Sequence, residues 1–262
     1  MQAKRTVISS LMTSLALATV FVVAPPSEAA QKITSQLPPP GAAGIAPFPD
    51  VCPDQDMVLR PQSDFPDTAI GRVRFMLQSR KMQYSVLCLV DKARAKAGLQ
   101  EVHSYVALGK NYRGPRGLSG SAYDHARAAA QLRWWGTVSQ YPTCTPRKDD
   151  PRTAEDESLK CDPHINPQTK STPAQRAQEQ GFAKNCTKWK VGENAYTATS
   201  ASDATPRAAF GWWWRSQAHH DTMMDPEYNT MQLAVVAGSA DPAGGTNAPA
   251  ATFVQEFGRC WS

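Results

Sequence analysis

Two stretches in the first half of the chain carry apolar residues at helical spacing. The first runs from about Asp67 to Ala97 and stops at Gly98, a residue that commonly ends helices. Its apolar stripe lies opposite a basic face; the stripe is Val86, Leu87, Val90, Ala93 and Ala97, and the basic face is Lys92, Arg94 and Lys96. The second stretch, 119–135, has an alanine-rich stripe. Both patterns predict amphipathic helices.

Two shorter helices are predicted from their start signals. Thr172 has the chemistry of an N-cap, is followed by proline, and has Gln175 in position for a capping box. Thr205-Pro206 repeats the Thr-Pro start and predicts a helix that runs to about Ser216.

The C-terminal region changes to the two-residue alternation of strands. Apolar residues alternate with other residues in 231–235 and again around Phe253 and Phe257, where Thr252 and Glu256 occupy the intervening polar positions. A segment rich in glycine and proline, 241–250, separates the two stretches and predicts a hairpin. Helices followed by strands favour an α+β fold over alternating βαβ units.

The N-terminus has the pattern of a signal peptide. Lys4 and Arg5 precede an apolar run, Val7 to Ala24, and small residues follow at 27–30. A membrane anchor is the alternative, but the small-residue cleavage site favours removal, so we expect no stable transmembrane anchor. We therefore predict a signal peptide at 1–30, a Pro/Ala-rich linker at 31–66, and one domain at 67–262 with a long inserted loop at about 136–171.

Export changes the interpretation of the six cysteines, because thiols pair in oxidising compartments. They are Cys52, Cys88, Cys144, Cys161, Cys186 and Cys260, and none belongs to a CxxC motif. A Cys144–Cys161 bridge would pin the inserted loop. We also expect Cys88 to pair with Cys260 and so fasten the chain end to the first helix.

Charge and motifs exclude several functions. The formal net charge is +5, but the basic residues are scattered, so nucleic acid binding is not expected. The sequence has no GxSxG, HExxH, P-loop or GxGxxG motif. A mildly basic exported protein is suited instead to loose attraction to anionic polymers or lipid headgroups.

Several short sequence motifs occur in order over about 85–262: Ala97-Gly98-Leu99, His125-Ala126, His164 leading to Thr172-Pro173 and Gly181-Phe182, Gly192-Glu193-Asn194, Trp213 with Ser216 and His219, and Gln255-Glu256-Phe257-Gly258. Together they resemble the CAP superfamily (SCP-type domains of cysteine-rich secretory proteins, antigen 5 and pathogenesis-related proteins). The resemblance implies an α-β-α sandwich with a small antiparallel sheet between helical layers.

The resemblance also implies a cleft lined by His164, Glu193 and His219. Ser216 stands where eukaryotic members have a second glutamate, which removes one carboxylate from the family's set. Two imidazoles and a carboxylate suit Zn²⁺ or another divalent cation; alternatively, Glu193 favours a cationic histidine that binds anions or headgroups. Ser216 beside His219 is a conceivable nucleophile–base pair, and His220 is an alternative to His219.

Three functions follow from these features. The leading hypothesis is a secreted, extracellular binding module whose cleft holds a divalent metal, a lipid, sterol or other small hydrophobic ligand, or an envelope polymer. The alternatives are a metal-assisted or Ser-based hydrolase using the same cleft, and a structural or interaction protein of the cell envelope.

Two further expectations concern packing. His125 is expected to be a packed structural histidine. Of Trp212, Trp213 and Trp214, at least one should be buried and at least one should reach the surface, because helix neighbours point about 100° apart.

Overall fold

The computed structural model describes residues 51–104, 117–148 and 159–261. The predicted signal peptide, the linker up to residue 50 and the middle of the inserted loop, 149–158, lie outside the described residues. The elements are helices α1 (Ala69–Lys96), α2 (Gly117–Leu132) and α3 (Pro173–Glu179), strand β1 (Lys188–Ala198), helices α4 (Pro206–Arg215) and α5 (Gln217–Met224), and strands β2 (Thr230–Ala237) and β3 (Ala251–Trp261). Among these described helices, none is long and apolar enough to cross a membrane.

The three strands form an antiparallel sheet in the order β1-β3-β2, so β3 is the central strand. One face of β3 packs on α1 and α4, where Phe253 joins a cluster with Val86 and Trp213. The opposite face packs on α2, where Val254 meets Ala122 and Ala126. Helices therefore cover both faces of the sheet, and the predicted α+β class is confirmed.

The helix signals in the sequence are confirmed at most ends. Thr172 caps α3 with the full capping box, its hydroxyl accepting a hydrogen bond from the backbone N–H of Gln175. Gly98 follows α1 with φ +69°, which glycine adopts without strain. Helix α2 ends three residues earlier than predicted, and Arg133 turns the chain with φ 56° while its guanidinium donates to the carbonyl of Pro242.

Arg94 does not lie on a solvated face as the helical pattern predicts. Its side chain is completely buried and donates to four backbone carbonyls. The accepting residues are Gln100, Met223, Asp225 and Tyr228. The five guanidinium donors make burial possible here because backbone oxygens satisfy them, and the arginine thereby fixes the chain that follows α5 against α1.

The predicted Cys88–Cys260 bridge is wrong. The disulfides are Cys52–Cys88, Cys144–Cys161 and Cys186–Cys260, which confirms only the bridge across the inserted loop. The register explains the correction, because Trp189 of β1 lies opposite Cys260 of β3 and brings nearby Cys186 within reach. Cys88 lies instead beneath the segment before α1, where Cys52 is buried in the core.

Candidate functional site

His164, Glu193 and His219 come together at the edge of the sheet formed by β1. The Nδ1 atom of His164 lies 2.9 Å from Oε1 of Glu193, and the ring centroids of His164 and His219 are 6.3 Å apart. The His164 side chain is 28% exposed, whereas the Glu193 side chain is completely buried. Three residues that are distant in sequence therefore form one site, with a buried carboxylate behind a partly exposed imidazole.

The Gly192-Glu193-Asn194 segment of β1 builds this site because successive strand residues point to opposite faces. Glu193 holds His164 on one face. Asn194 reaches the other face, where its amide donates to the backbone oxygen of His219 at 3.2 Å. A Cβ at Gly192 would lie 2.5 Å from the hydroxyl of Tyr228, so only glycine allows this close approach.

Arg176 of α3 fixes the same carboxylate from the other side. Its Nη2 donates to Oε2 of Glu193 at 2.6 Å, and its Nη1 donates to the backbone oxygen of His164 at 3.0 Å. The capping box at Thr172 starts the short helix that carries this arginine. Arg176 therefore positions both the backbone of His164 and the carboxylate that orients its ring.

The electrostatics favour an ionised Glu193. Burial would raise the pKa of this carboxyl group, but the nearby Arg176 and the hydrogen bond from His164 hold it well below its usual range. An ionised carboxylate only accepts hydrogen bonds, so Nδ1 of His164 must carry the proton. In the neutral ring, Nε2 at the other end keeps its lone pair, and this is the tautomer that binds metal ions.

The sequence did not indicate that Glu256 belongs to this cluster. It lies directly opposite Glu193 in the β1–β3 register, is completely buried, and accepts a hydrogen bond from the hydroxyl of Ser121. Burial and the negative charge of Glu193 raise the pKa of Glu256 well above its ordinary value, so this carboxyl group is neutral where Glu193 is charged.

His125 of α2 is buried in the same cluster, as expected for a packed histidine. Its Nε2 lies 2.8 Å from the backbone oxygen of Pro163 and 3.7 Å from Oε1 of Glu193. Burial lowers the pKa of His125 to about 4, so the ring is neutral and donates its proton to the carbonyl. The two buried groups beside Glu193, His125 and Glu256, are thus uncharged, and Arg176 supplies a buried positive charge that balances Glu193.

The structure distinguishes His219 from its neighbour. Nδ1 of His219 lies 2.6 Å from Oγ of Ser216, and its ring meets that of Trp212 edge-on at 4.8 Å. His220 is buried against Trp214 with ring centroids 4.5 Å apart. The histidine that faces His164 is therefore His219.

His164, Glu193 and His219 are not arranged as three ligands around one metal position. Both oxygens of Glu193 are hydrogen-bonded to neighbouring side chains, and no group of three His, Cys, Asp or Glu side chains within 51–104, 117–148 and 159–261 is placed to hold a metal ion. Two imidazoles on one tetrahedral zinc would have ring centroids about 5 Å apart. The observed 6.3 Å between the ring centroids of His164 and His219 is longer than that separation.

Comparisons with known proteins show only weak similarity to this chain. No family model and no curated protein matches the sequence. An outer surface protein of Borrelia burgdorferi is similar with 11% identity and a TM-score of 0.37, over 67% of this chain and 90% of that one. An extracellular protein containing an SCP domain, from Bacillus anthracis str. Ames, has 13% identity and a TM-score of 0.38, over 75% of this chain and 45% of that one. Because both likenesses are weak, interpretation of the site depends on its own geometry.

Proposed function

We propose that this chain is an exported binding module of the CAP type whose His164–His219 cleft binds a divalent cation such as Zn²⁺. The observation that carries the proposal is the hydrogen bond from Nδ1 of His164 to the ionised Glu193, beside the ring of His219. A carboxylate behind a histidine ligand is the usual outer-shell arrangement of metal sites. Glu193 is therefore assigned to orienting His164 rather than to direct ligation.

Export is part of this proposal. The N-terminal pattern of a signal peptide and three disulfides both fit an oxidising, extracellular environment. When bound, a cation with two protein ligands would keep open positions for oxygen atoms of a second ligand. The chain's own contribution is to hold two imidazoles in place with Arg176 and Asn194, which anchor their backbone oxygens.

Zinc titration by calorimetry tests this proposal on tag-free protein. The wild type should give a saturable heat with one zinc per chain, and the His164→Ala/His219→Ala double variant should lose it. The exposed His103 provides a matched control, since His103→Ala removes an imidazole without touching the cleft. Equal heats from the wild type and the double variant would exclude the metal site.

A hydrolase is the second candidate, and one distance favours it. Oγ of Ser216 lies 2.6 Å from Nδ1 of His219, which is within range for a nucleophile and its base. However, Ser216 is the N-cap of α5 and His219 follows three residues later, so local helix geometry alone brings them together. Covalent labelling by a fluorophosphonate in the wild type, abolished in Ser216→Ala, would select the hydrolase instead.

A further inference from the structure

Trp212 is the exposed member of the tryptophan run. Its side chain lies on the surface of α4 and is 41% exposed, whereas Trp213 and Trp214 are buried in the core. This confirms that the three side chains divide between core and surface. An exposed indole ring on a rigid helix is a large apolar surface that is available to a ligand.

Tyr196 of β1 extends this aromatic surface. Its ring centroid is 5.7 Å from that of Trp212 and 5.7 Å from that of the buried Phe253. The Tyr196 hydroxyl donates to the backbone oxygen of Asp203 at 3.0 Å. Burial raises the pKa of Tyr196 to about 12, so the ring is neutral at physiological pH. Trp212 and Tyr196 together form a fixed, uncharged aromatic platform.

Two grooves meet at this platform, and both residues line each of them. The larger has a volume of about 600 Å³ and is otherwise lined largely by polar side chains, including Asp56, Asp203, Thr205, Arg207 and Arg215. The smaller groove has a volume of about 190 Å³, and its other lining residues include Trp135, Arg147, Lys160 and Thr197. The larger groove falls within the usual size range of ligand sites.

The side chains of the larger groove are held in place. Arg207 makes a two-pronged ion pair with Asp56, at 2.7 and 2.9 Å, and Thr205 caps α4 through the backbone N–H of Ala208. Around the aromatic rings, these groups offer hydrogen-bond donors and acceptors, and they include both a positive and a negative charge. A lipid chain would displace water from this exposed ion pair without offering hydrogen bonds in return, which costs free energy, so the groove suits a polar ligand better than an acyl or sterol ligand.

A sugar chain fits both features. The C–H face of a pyranose ring packs on an aromatic face, while its hydroxyl groups around the edge both donate and accept hydrogen bonds. We infer that Trp212 and Tyr196 form the centre of a glycan-binding groove for a pyranose chain, which extends along both grooves. This surface is additional to the proposed cation site, although the ring of Trp212 also contacts His219.

The test measures co-sedimentation of the full chain with three insoluble polysaccharides: cellulose, chitin and purified peptidoglycan. The wild type should bind at least one of them, and Trp212→Ala should bind that polymer about tenfold more weakly, as expected for an aromatic anchor. Trp212→Tyr keeps a stacking ring and should restore most of the affinity. Tyr84→Ala is the matched control, because Tyr84 is 46% exposed but lies on α1.

The same assay is repeated in EDTA and with vesicles of anionic phospholipid. Binding that persists in EDTA supports the glycan groove independently of the cation proposal, and binding that EDTA abolishes contradicts it. Retention by vesicles but by none of the polysaccharides would identify the surface as a membrane contact and overturn the inference. An equal loss in Trp212→Ala and Tyr84→Ala would also overturn it, since the effect would then be unspecific.

Discussion

At the scale of single residues, the site depends on two buried carboxyl groups with opposite ionisation. Arg176 and His164 keep Glu193 charged, whereas Glu256, directly opposite, is neutral because burial and the charge of Glu193 raise its pKa. The alternating pattern identifies Glu256 only as a polar position of its strand. It does not reveal that Glu256 is buried, because this depends on β3 being the central strand and on α2 covering the face to which Glu256 points.

The raised pKa of Glu256 has a consequence for stability. Above its ordinary pKa of 4.5 the unfolded chain loses this proton while the folded chain keeps it, so the folded state binds more protons. The free energy of unfolding contributed by this group therefore falls as pH rises. His125 acts in the opposite sense, because its folded pKa is lowered to about 4 and the unfolded chain binds more protons between that value and its ordinary 6.5.

Glu256→Gln tests this linkage, since a carboxamide imitates the neutral acid but does not titrate. Relative to the variant, wild-type unfolding free energy should fall by about 1.4 kcal/mol per pH unit above pH 4.5, while the folded carboxyl group stays protonated. Urea unfolding at a series of pH values measures the difference. Glu179→Gln makes the same change at an exposed position as a control. Parallel pH profiles for wild type and Glu256→Gln would show that Glu256 is ionised in the folded protein.

At the scale of elements, the sequence predicted where the helices begin but did not predict the strand that carries the site. Thr172 and Thr205 are N-caps as predicted, because capping chemistry is local in sequence. The sequence pattern did not predict strand β1, since Glu193 and Asn194 occupy positions where a buried strand usually has apolar residues. Their burial is made possible by partners on α3, α5 and β3, which no local pattern reveals.

Thr172→Ala tests how far the α3 cap supports the site. Loss of the hydroxyl removes the hydrogen bond from the Gln175 backbone, and unfolding free energy should fall by about 1 kcal/mol. Zinc should also bind more weakly, because α3 carries the arginine that holds Glu193. Thr199→Ala, at an exposed position outside any helix, should change stability by less than about 0.5 kcal/mol. Identical stability in the two variants would show that the cap contributes nothing.

At the scale of the whole molecule, the sequence was sufficient for the α+β class and for the convergence of His164, Glu193 and His219. It was not sufficient for the disulfide pairing, which depends on strand register and on where the segment before α1 returns to the core. Cys186 and Cys260 are 74 residues apart in sequence, and only the pairing of β1 with β3 brings them together. Contacts of this kind follow from the assembled fold and not from any short pattern.

The disulfides themselves supply the last prediction. In the chain-entropy account, closing a longer loop restricts the unfolded chain more, so the Cys186–Cys260 bridge should stabilise more than Cys144–Cys161, whose cysteines are 17 residues apart. Replacing both members by serine should lower the unfolding free energy by about 4 kcal/mol for the first pair and about 3 kcal/mol for the second.

Urea unfolding of the two double variants measures these losses, and a non-reducing peptide map of the wild type supplies the pairing. The map should contain a linked Cys186–Cys260 peptide and a linked Cys52–Cys88 peptide. A linked Cys88–Cys260 peptide would contradict the structure. Cys260 lies on β3, which pairs with β1, whereas Cys88 lies on α1 beneath a different segment. With the pairing as described, β1 is covalently fastened to the central strand close to its first residue, so the strand that carries Glu193 and Asn194 keeps its register and the two histidines stay opposed.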